Sequence, residues 1–137
     1  MKKKIVISLL LFAVLSSSCK KYIEQQQQNA LESLITNGTW IVTRYVENGT
    51  DITTSFSGYV FKFNSNGTVT GTNAGTTVNG TWSGNVSTKT IISEFPSAGA
   101  PIDKLNAEWK ITDSYTDSVA AKTTINTTTN ILNLHKQ

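Results

Sequence analysis

Few side chains in this sequence have the chemistry needed for catalysis or metal binding. His135 is the only histidine and lies near the chain end, where side chains are poorly held, so a serine–histidine–aspartate set is not expected. Cys19 is the only cysteine, which excludes a zinc cluster of several cysteines and an internal disulfide. Glu94, Asp103 and Glu108 are the carboxylates considered as a glycosidase acid and base, but no other feature supports that pairing. We therefore expect no catalytic residue, no metal, no cofactor and no enzymatic activity.

The segment before Cys19 has the layout of a secretory signal. In order, it contains a basic start (Lys2-Lys3-Lys4), an apolar run interrupted by Ser8 (Ile5–Leu15) and a small-residue site (Ser16-Ser17-Ser18). The apolar run is about half of the roughly 20 residues that a membrane-spanning helix needs. Cleavage directly before Cys19 would make that residue the new N-terminus. Acylation of its thiol there would account for the single cysteine.

This site resembles the lipobox of bacterial lipoproteins. Ser16 takes the position of the usual leucine, with Leu15 one residue further out, as in the looser boxes of Bacteroidota lipoproteins. The resemblance implies that residues 1–18 are a signal peptide, that Cys19 is lipidated, and that the lipid holds the protein to a membrane of the cell envelope. Because Lys20-Lys21-Tyr22 lacks an acidic run, we expect an outer-membrane anchor facing the periplasm, with surface exposure as the alternative.

Loss of the signal also changes the charge balance. It removes three of the twelve basic residues and leaves nine to balance nine acidic ones, so no basic excess remains to indicate a nucleic-acid partner. The remaining chain has the size of one domain. We expect a monomer whose partners are the membrane and, at most, one small hydrophobic ligand.

Residues 19–37 are predicted to form a tether and a short helix. Apolar residues from Ile23 to Ile35 follow at roughly helical spacing, and Asn37-Gly38 is a typical helix stop. Residues 38–137 are rich in Thr, Asn and Gly, which favour strands and tight turns. Four Asn-Gly pairs are turn signals: Asn37-Gly38, Asn48-Gly49, Asn66-Gly67 and Asn79-Gly80.

The pattern between these turns predicts an all-β domain, an antiparallel up-and-down barrel. The candidate strands are Thr39–Glu47, Thr53–Ser57, Tyr59–Asn64, Thr68–Asn73, Thr77–Ser83, Lys89–Glu94, Leu105–Asp113, Val119–Asn126 and Asn130–Lys136. Alternation along them selects the inward side chains. These sets are Tyr59, Phe61 and Phe63; Leu105, Ala107, Trp109 and Ile111; Trp40, Val42 and Val46; and Val78 and Trp82.

Gly38-Thr39-Trp40, at the start of the first strand, resembles the Gly-x-Trp motif of lipocalins. Further segments resemble a lipocalin-like family of small Bacteroidota lipoproteins: Gly58-Tyr59-Val60-Phe61-Lys62-Phe63, Asn66-Gly67-Thr68-Val69, Gly80-Thr81-Trp82-Ser83 and Leu105-Asn106-Ala107-Glu108-Trp109-Lys110-Ile111. The resemblance implies a small calycin-type barrel whose closing motif is Gly38 and Trp40. It also implies a basic residue packed over Trp40, for which Lys136 and Arg44 are the candidates.

Two functions remain open at this stage. In the first, the barrel holds a small hydrophobic ligand, and its candidate lining is Tyr59, Phe61, Phe63, Trp82 and Trp109. In the second, these bulky side chains fill the barrel and the protein is a structural or protein-interaction lipoprotein without a ligand. An eight-stranded barrel is just wide enough for either arrangement. A cavity of roughly 300 Å³ or more would favour the ligand.

Overall fold

The computed structural model describes the backbone of residues 2–137 and the side chains of residues 19–137. The predicted signal peptide, residues 1–18, lies outside the described side chains. One helix, α1 (Lys2–Thr36), precedes the sheet and is continuous through the segment predicted as tether and short helix. It ends one residue before the Asn37-Gly38 stop, where Gly38 adopts a φ of 82°. In the part of the chain searched for a membrane span, no helix is long and apolar enough to be one.

Nine antiparallel strands follow the helix. Their bounds are β1 (Trp40–Glu47), β2 (Thr50–Asp51), β3 (Val60–Phe63), β4 (Thr68–Asn73), β5 (Thr76–Asn85), β6 (Thr90–Glu94), β7 (Ala107–Ser114), β8 (Ser118–Ile125) and β9 (Thr128–Lys136). Two short 3-10 helices, Thr53–Phe56 and Ile102–Leu105, lie in the connections before β3 and β7.

Consecutive strands from β3 to β9 pair in order, and β1 closes the sheet by pairing with both β9 and β3. The closure with β9 is long, from Trp40 opposite Lys136 to Val46 opposite Ile131, whereas the closure with β3 is one pair, Trp40 with Phe61. The two-residue β2 only extends the end of β1. The eight other strands therefore form the closed up-and-down barrel that the turn pattern predicted.

Strand positions agree with the prediction for most of the barrel, and β4 matches it residue for residue. The turn signal at Asn79-Gly80 is wrong, whereas the candidate strand Thr77–Ser83 that contains it is confirmed, because both residues lie inside β5, opposite Thr70 and Val69. The hairpin turn between β4 and β5 falls instead at Ala74-Gly75, where φ is 49° and 83°. The two-residue type I′ hairpin turn requires a positive φ at both central residues. Ala74 and Gly75 meet this requirement without an Asn-Gly pair.

The predicted strand Thr53–Ser57 is also wrong. Asp51 Oδ1 accepts hydrogen bonds from both the backbone N–H and the hydroxyl of Thr53, at 2.9 and 2.6 Å. This side-chain-to-backbone turn competes with strand pairing and starts a 3-10 helix. This 3-10 helix places Phe56 in the core, where its side chain is 2 % exposed.

The inward side of β1 changes along the strand. A shift in register between Val42 and Arg44 breaks the alternation that starts at Trp40. Tyr45 is consequently fully buried, while Val46, which alternation predicted to face inward, is only partly buried. An extra residue in one strand of a pair has this effect, and nothing in the sequence of β1 marks its position.

Candidate functional site

The five aromatic side chains predicted to line a ligand cavity all lie in the hydrophobic core. Phe61, Phe63, Trp82 and Trp109 are buried, and Tyr59 packs against them at the edge, partly buried. The structure therefore brings the predicted set together. Whether the set encloses a cavity depends on how the rings pack and on what covers each end of the barrel.

Ring-to-ring contacts join the interior aromatic side chains in three groups. Phe63 meets Trp82 edge to face with 5.6 Å between centroids, and Phe61 stacks with Tyr59 at 6.1 Å. Trp109 meets Tyr45 edge to face at 5.9 Å. These distances fall within the range of roughly 4.5–7 Å that aromatic pairs prefer, so the rings contact one another directly.

Glycines on two inward strand positions make room for this packing. A Cβ at Gly71 would lie 2.9 Å from the ring of Phe61, closer than side chains tolerate. A Cβ at Gly80 would collide with the backbone carbonyl oxygen of Glu94 and would lie 2.7 Å from the ring of Phe95. Gly80 therefore serves a close approach inside the barrel, and this explains why the Asn79-Gly80 pair is not a turn.

At one end of the barrel, α1 covers Trp40. The indole N–H of this fully buried side chain donates to the carbonyl of Ile35 at 2.9 Å, and Lys136 Nζ lies 5.1 Å from the ring centroid on another side. Lys62 Nζ donates to the carbonyls of Thr36 and Gly38, at 2.7 and 3.0 Å, and so gives hydrogen-bond donors to carbonyl groups at the C-terminus of α1. We call this end, defined by Ile35, Trp40 and Lys136, the helix end. The basic residue expected over Trp40 is thus Lys136, whereas Arg44 is exposed.

Gln28 fixes the helix to the barrel wall. Its amide donates to the carbonyl of Gly84 at 2.8 Å and accepts from the backbone N–H of Val86 at 3.0 Å. Beside it, Leu31 packs on the backbone of Gly84, where a Cβ would lie 3.2 Å from the leucine. The same helix face continues to Ile35, which is 1 % exposed. Positions 28, 31 and 35 therefore form one contact face by helical spacing.

The opposite end is closed by the barrel's own connections. The Tyr45 hydroxyl donates to the carbonyl of Lys104 at 2.8 Å, and the Tyr45 ring stacks on Phe56 at 5.0 Å. Lys104 Nζ forms a 2.7 Å ion pair with Glu47, and both side chains are partly exposed. Ile102, in the second 3-10 helix, is 1 % exposed. We call this end, defined by Tyr45, Phe56 and Ile102, the loop end.

Burial alters the acidity of the loop end's central side chain. Removal from water, with the nearby Glu47 carboxylate as a second cause, raises the pKa of Tyr45 to about 12 from an ordinary value of 10.0. The neutral phenol is thereby favoured as a hydrogen-bond donor to Lys104. On the exposed surface nearby, hydrogen bonds from the Thr53 hydroxyl and backbone lower the pKa of Asp51.

Sequence reasoning did not select several core residues, and the largest of them are Tyr45, Phe56, Phe95 and Ile102. The strand bulge concealed Tyr45, and the other three lie outside the strands, where alternation says nothing. A usable signal was present for two of them: Phe95 and Ile102 are large apolar residues next to Pro96 and Pro101, in a connection that would otherwise be expected to be polar.

Surface grooves lie around the described residues, and four of them have linings without any of the five candidate aromatics. The groove over the outer face of β6, β7 and β8, about 570 Å³ in volume, is lined by residues including Glu108, Lys110 and Lys122. A second groove, about 590 Å³, runs between α1 and the strands, beside Leu34 and Ile111. In the part of the chain whose side chains are described, every fully buried polar side-chain atom has a hydrogen-bond partner.

The residues considered for catalysis lie on the outer surface. Glu94, Asp103 and Glu108 are exposed. Exposed His135 pairs in register with Ser118, and both line a groove of about 270 Å³, but no hydrogen bond joins their described side chains. Among the described residues, no group of three or more His, Cys, Asp or Glu side chains is placed to hold a metal ion.

Comparison with known proteins supports the fold alone. No protein-family model matches the chain, and no curated protein matches it. The crystal structure of a DUF4847 family protein from Bacteroides vulgatus is similar in fold, with a TM-score of 0.58 and 17 % sequence identity. The match covers 78 % of this chain and 99 % of that one.

Proposed function

We propose that this chain is an envelope lipoprotein, acylated on Cys19, whose lipocalin-like barrel is filled by its own side chains and acts through its outer surface. The observation that carries the proposal is that Phe61, Phe63, Trp82 and Trp109 are buried in one hydrophobic core under two covered ends, each with another aromatic ring against it. A small hydrophobic ligand in the barrel is the competing function, and it would require these rings to move apart.

The anchor is supported by the sequence around Cys19 and by the position of that residue. Cys19 is exposed and lies on α1, nine residues before the contact of Gln28 with the barrel. At 1.5 Å per helical residue, this separation is roughly 14 Å, so acyl chains on its sulfur would not have to pass the barrel to reach a bilayer. The lipocalin-like type is supported by Lys136 over Trp40 and by the up-and-down strand order.

The outer face of β6, β7 and β8 is the surface we propose for binding another envelope protein. Ile92 and Ile125 are exposed there to 39 % and 48 %, and Lys110 lies directly opposite Lys122. Exposed apolar side chains rimmed by charges are typical of interaction surfaces. A binding role, rather than a catalytic one, also agrees with the exposed, separate positions of His135 and the three carboxylates.

Native mass spectrometry of the protein gently released from a lipoprotein-processing bacterium tests both parts of the proposal. We expect a mass equal to the chain from Cys19 onward plus acyl groups, with no further small molecule. A Cys19→Ser variant should lack the acyl mass and leave the membrane fraction. A reproducible extra mass that survives in Cys19→Ser would establish a bound ligand and contradict the filled barrel. An unacylated wild-type chain would contradict the anchor.

A further inference from the structure

Three side chains of α1 form an exposed face that points away from the barrel. Cys19 is exposed, and Tyr22 and Ile23 are 67 % and 56 % exposed. Residues three and four apart lie on one side of a helix, so this set is a continuous surface. We call it the anchor face. Of the three described large apolar side chains that are more than half exposed, two lie three and four residues after the proposed lipidation site.

The anchor face and the barrel contact face lie on opposite sides of the helix. Cys19 and Gln28 are nine residues apart, which is two and a half turns at 3.6 residues per turn. Gln28, with Leu31 and Ile35, faces the barrel. The helix is therefore placed between the barrel, on one side, and whatever covers the anchor face on the other.

We propose that the anchor face lies on the surface of a lipid bilayer, with Tyr22 and Ile23 buried at the interface beside the acylated Cys19. This inference rests on the proposed lipidation. The acyl chains place this turn of helix at the bilayer, and tyrosine is a side chain suited to the boundary between apolar and wet surroundings. Lys20 and Lys21 are also exposed, but they lie about a quarter turn and nearly half a turn from Cys19 around the helix, so they are not part of the anchor face.

The consequence is a fixed orientation of the barrel. A lipid on a flexible tether lets a domain rotate freely, whereas a helix that lies on the membrane and is fixed to the barrel through Gln28 does not. The helix end of the barrel would then face the bilayer and the loop end would face away. The outer face of β6, β7 and β8 would stand at the side, accessible to a partner in the same membrane.

A tryptophan placed on the anchor face by Tyr22→Trp tests this arrangement. The lipidated variant, purified from its host, is reconstituted in vesicles of phosphatidylglycerol and brominated phosphatidylcholine, and the wild-type emission is subtracted. Because interfacial helices bury their apolar face roughly 5–10 Å deep, we expect roughly twofold quenching of the introduced indole. Lys21→Trp is the matched control: Lys21 is exposed in the same turn but lies on the barrel side, nearly half a turn from Cys19 and seven residues before Gln28, so an indole there should be quenched little.

The outcomes separate this inference from the anchor. An intact mass with acyl groups, together with no quenching in Tyr22→Trp or equal quenching in Tyr22→Trp and Lys21→Trp, overturns the membrane-lying helix and leaves the anchor standing. A chain without acyl groups overturns both.

Discussion

The two ends of the barrel are closed in different ways. At the helix end, a separate element covers Trp40, and it is held by packing from Ile35 and by the Gln28 amide. At the loop end, the barrel's own connections fold inward around Tyr45. The first arrangement connects the barrel to the proposed anchor, and the second does not. A force or a change at the membrane would therefore reach the barrel through the helix end, while the loop end depends only on the barrel's own packing.

The largest effect is expected from Trp40→Ala, which removes the centre of the helix end. The side chain is fully buried, and large-to-small changes of aromatic core residues cost about 3–5 kcal/mol. The change would also leave the carbonyl of Ile35 and the ammonium of Lys136 without their contacts. Urea unfolding monitored by circular dichroism measures the loss, and a value below about 1 kcal/mol would show that the helix end contributes little to stability.

Gly71→Ala tests the filled middle of the barrel, between the two ends. The new methyl group would meet the Phe61 ring at 2.9 Å, and overpacking of this kind typically costs about 1–3 kcal/mol. Gly99→Ala is the matched control, because nothing lies within 4 Å of a Cβ there and no positive φ opposes the change. Equal stability of the two variants in thermal unfolding would mean that the interior has room that the filled-barrel account denies.

Tyr45→Phe tests the loop end. We expect it to lower the free energy of unfolding by about 1 kcal/mol, because the hydrogen bond to Lys104 is lost. This cost should also depend on pH. Burial raises the pKa of Tyr45 to about 12, so the unfolded chain, with its ordinary value of 10.0, releases the proton first as the pH rises. The stabilisation is full below about pH 10 and is lost as the pH approaches 12.

Alkaline unfolding of wild type and Tyr45→Phe in parallel measures this dependence. The advantage of the wild type over the variant should shrink across this interval, because phenylalanine has no proton to lose. A constant difference between the two proteins would contradict the buried, neutral phenol at the loop end.

The smallest effect is expected from Gln28→Ala, below about 1 kcal/mol, because its two hydrogen bonds are only partly buried. Its distinguishing readout is local: amide hydrogen exchange should quicken at Val86 and along the helix before Thr36, with little change at the loop end. Gln26→Ala, an exposed neighbour on the same helix, is the control and should change neither. Faster exchange at both ends would show that the closures are coupled.

The sequence predicted the parts of this molecule that depend on short-range patterns. Inward-facing Phe61, Phe63 and Trp109 follow from strict alternation, and β4 was placed to the residue. Features that depend on contacts between distant residues were missed. The ring of Phe95 decides the role of Gly80, and the bulge in β1 decides that Tyr45 is buried.

The same limit applies to the candidate site. Sequence alternation selected the five aromatics correctly as one core group, but the choice between lining a cavity and filling it depends on the covers at both ends. Phe56 and Ile102, which form part of one cover, belong to short 3-10 helices whose inward side chains have no strand period to mark them. Lys136, in the other cover, was identified only through the lipocalin-like resemblance.

Xenon binding to crystals of the protein under pressure tests the filled barrel most directly, since xenon enters apolar cavities that exclude water. The account predicts no xenon site among Phe61, Phe63, Trp82 and Trp109 in the wild type, and a new site in Phe61→Ala, where the missing ring leaves space. An occupied site among these residues in the wild-type protein would contradict the account and restore the ligand-binding function.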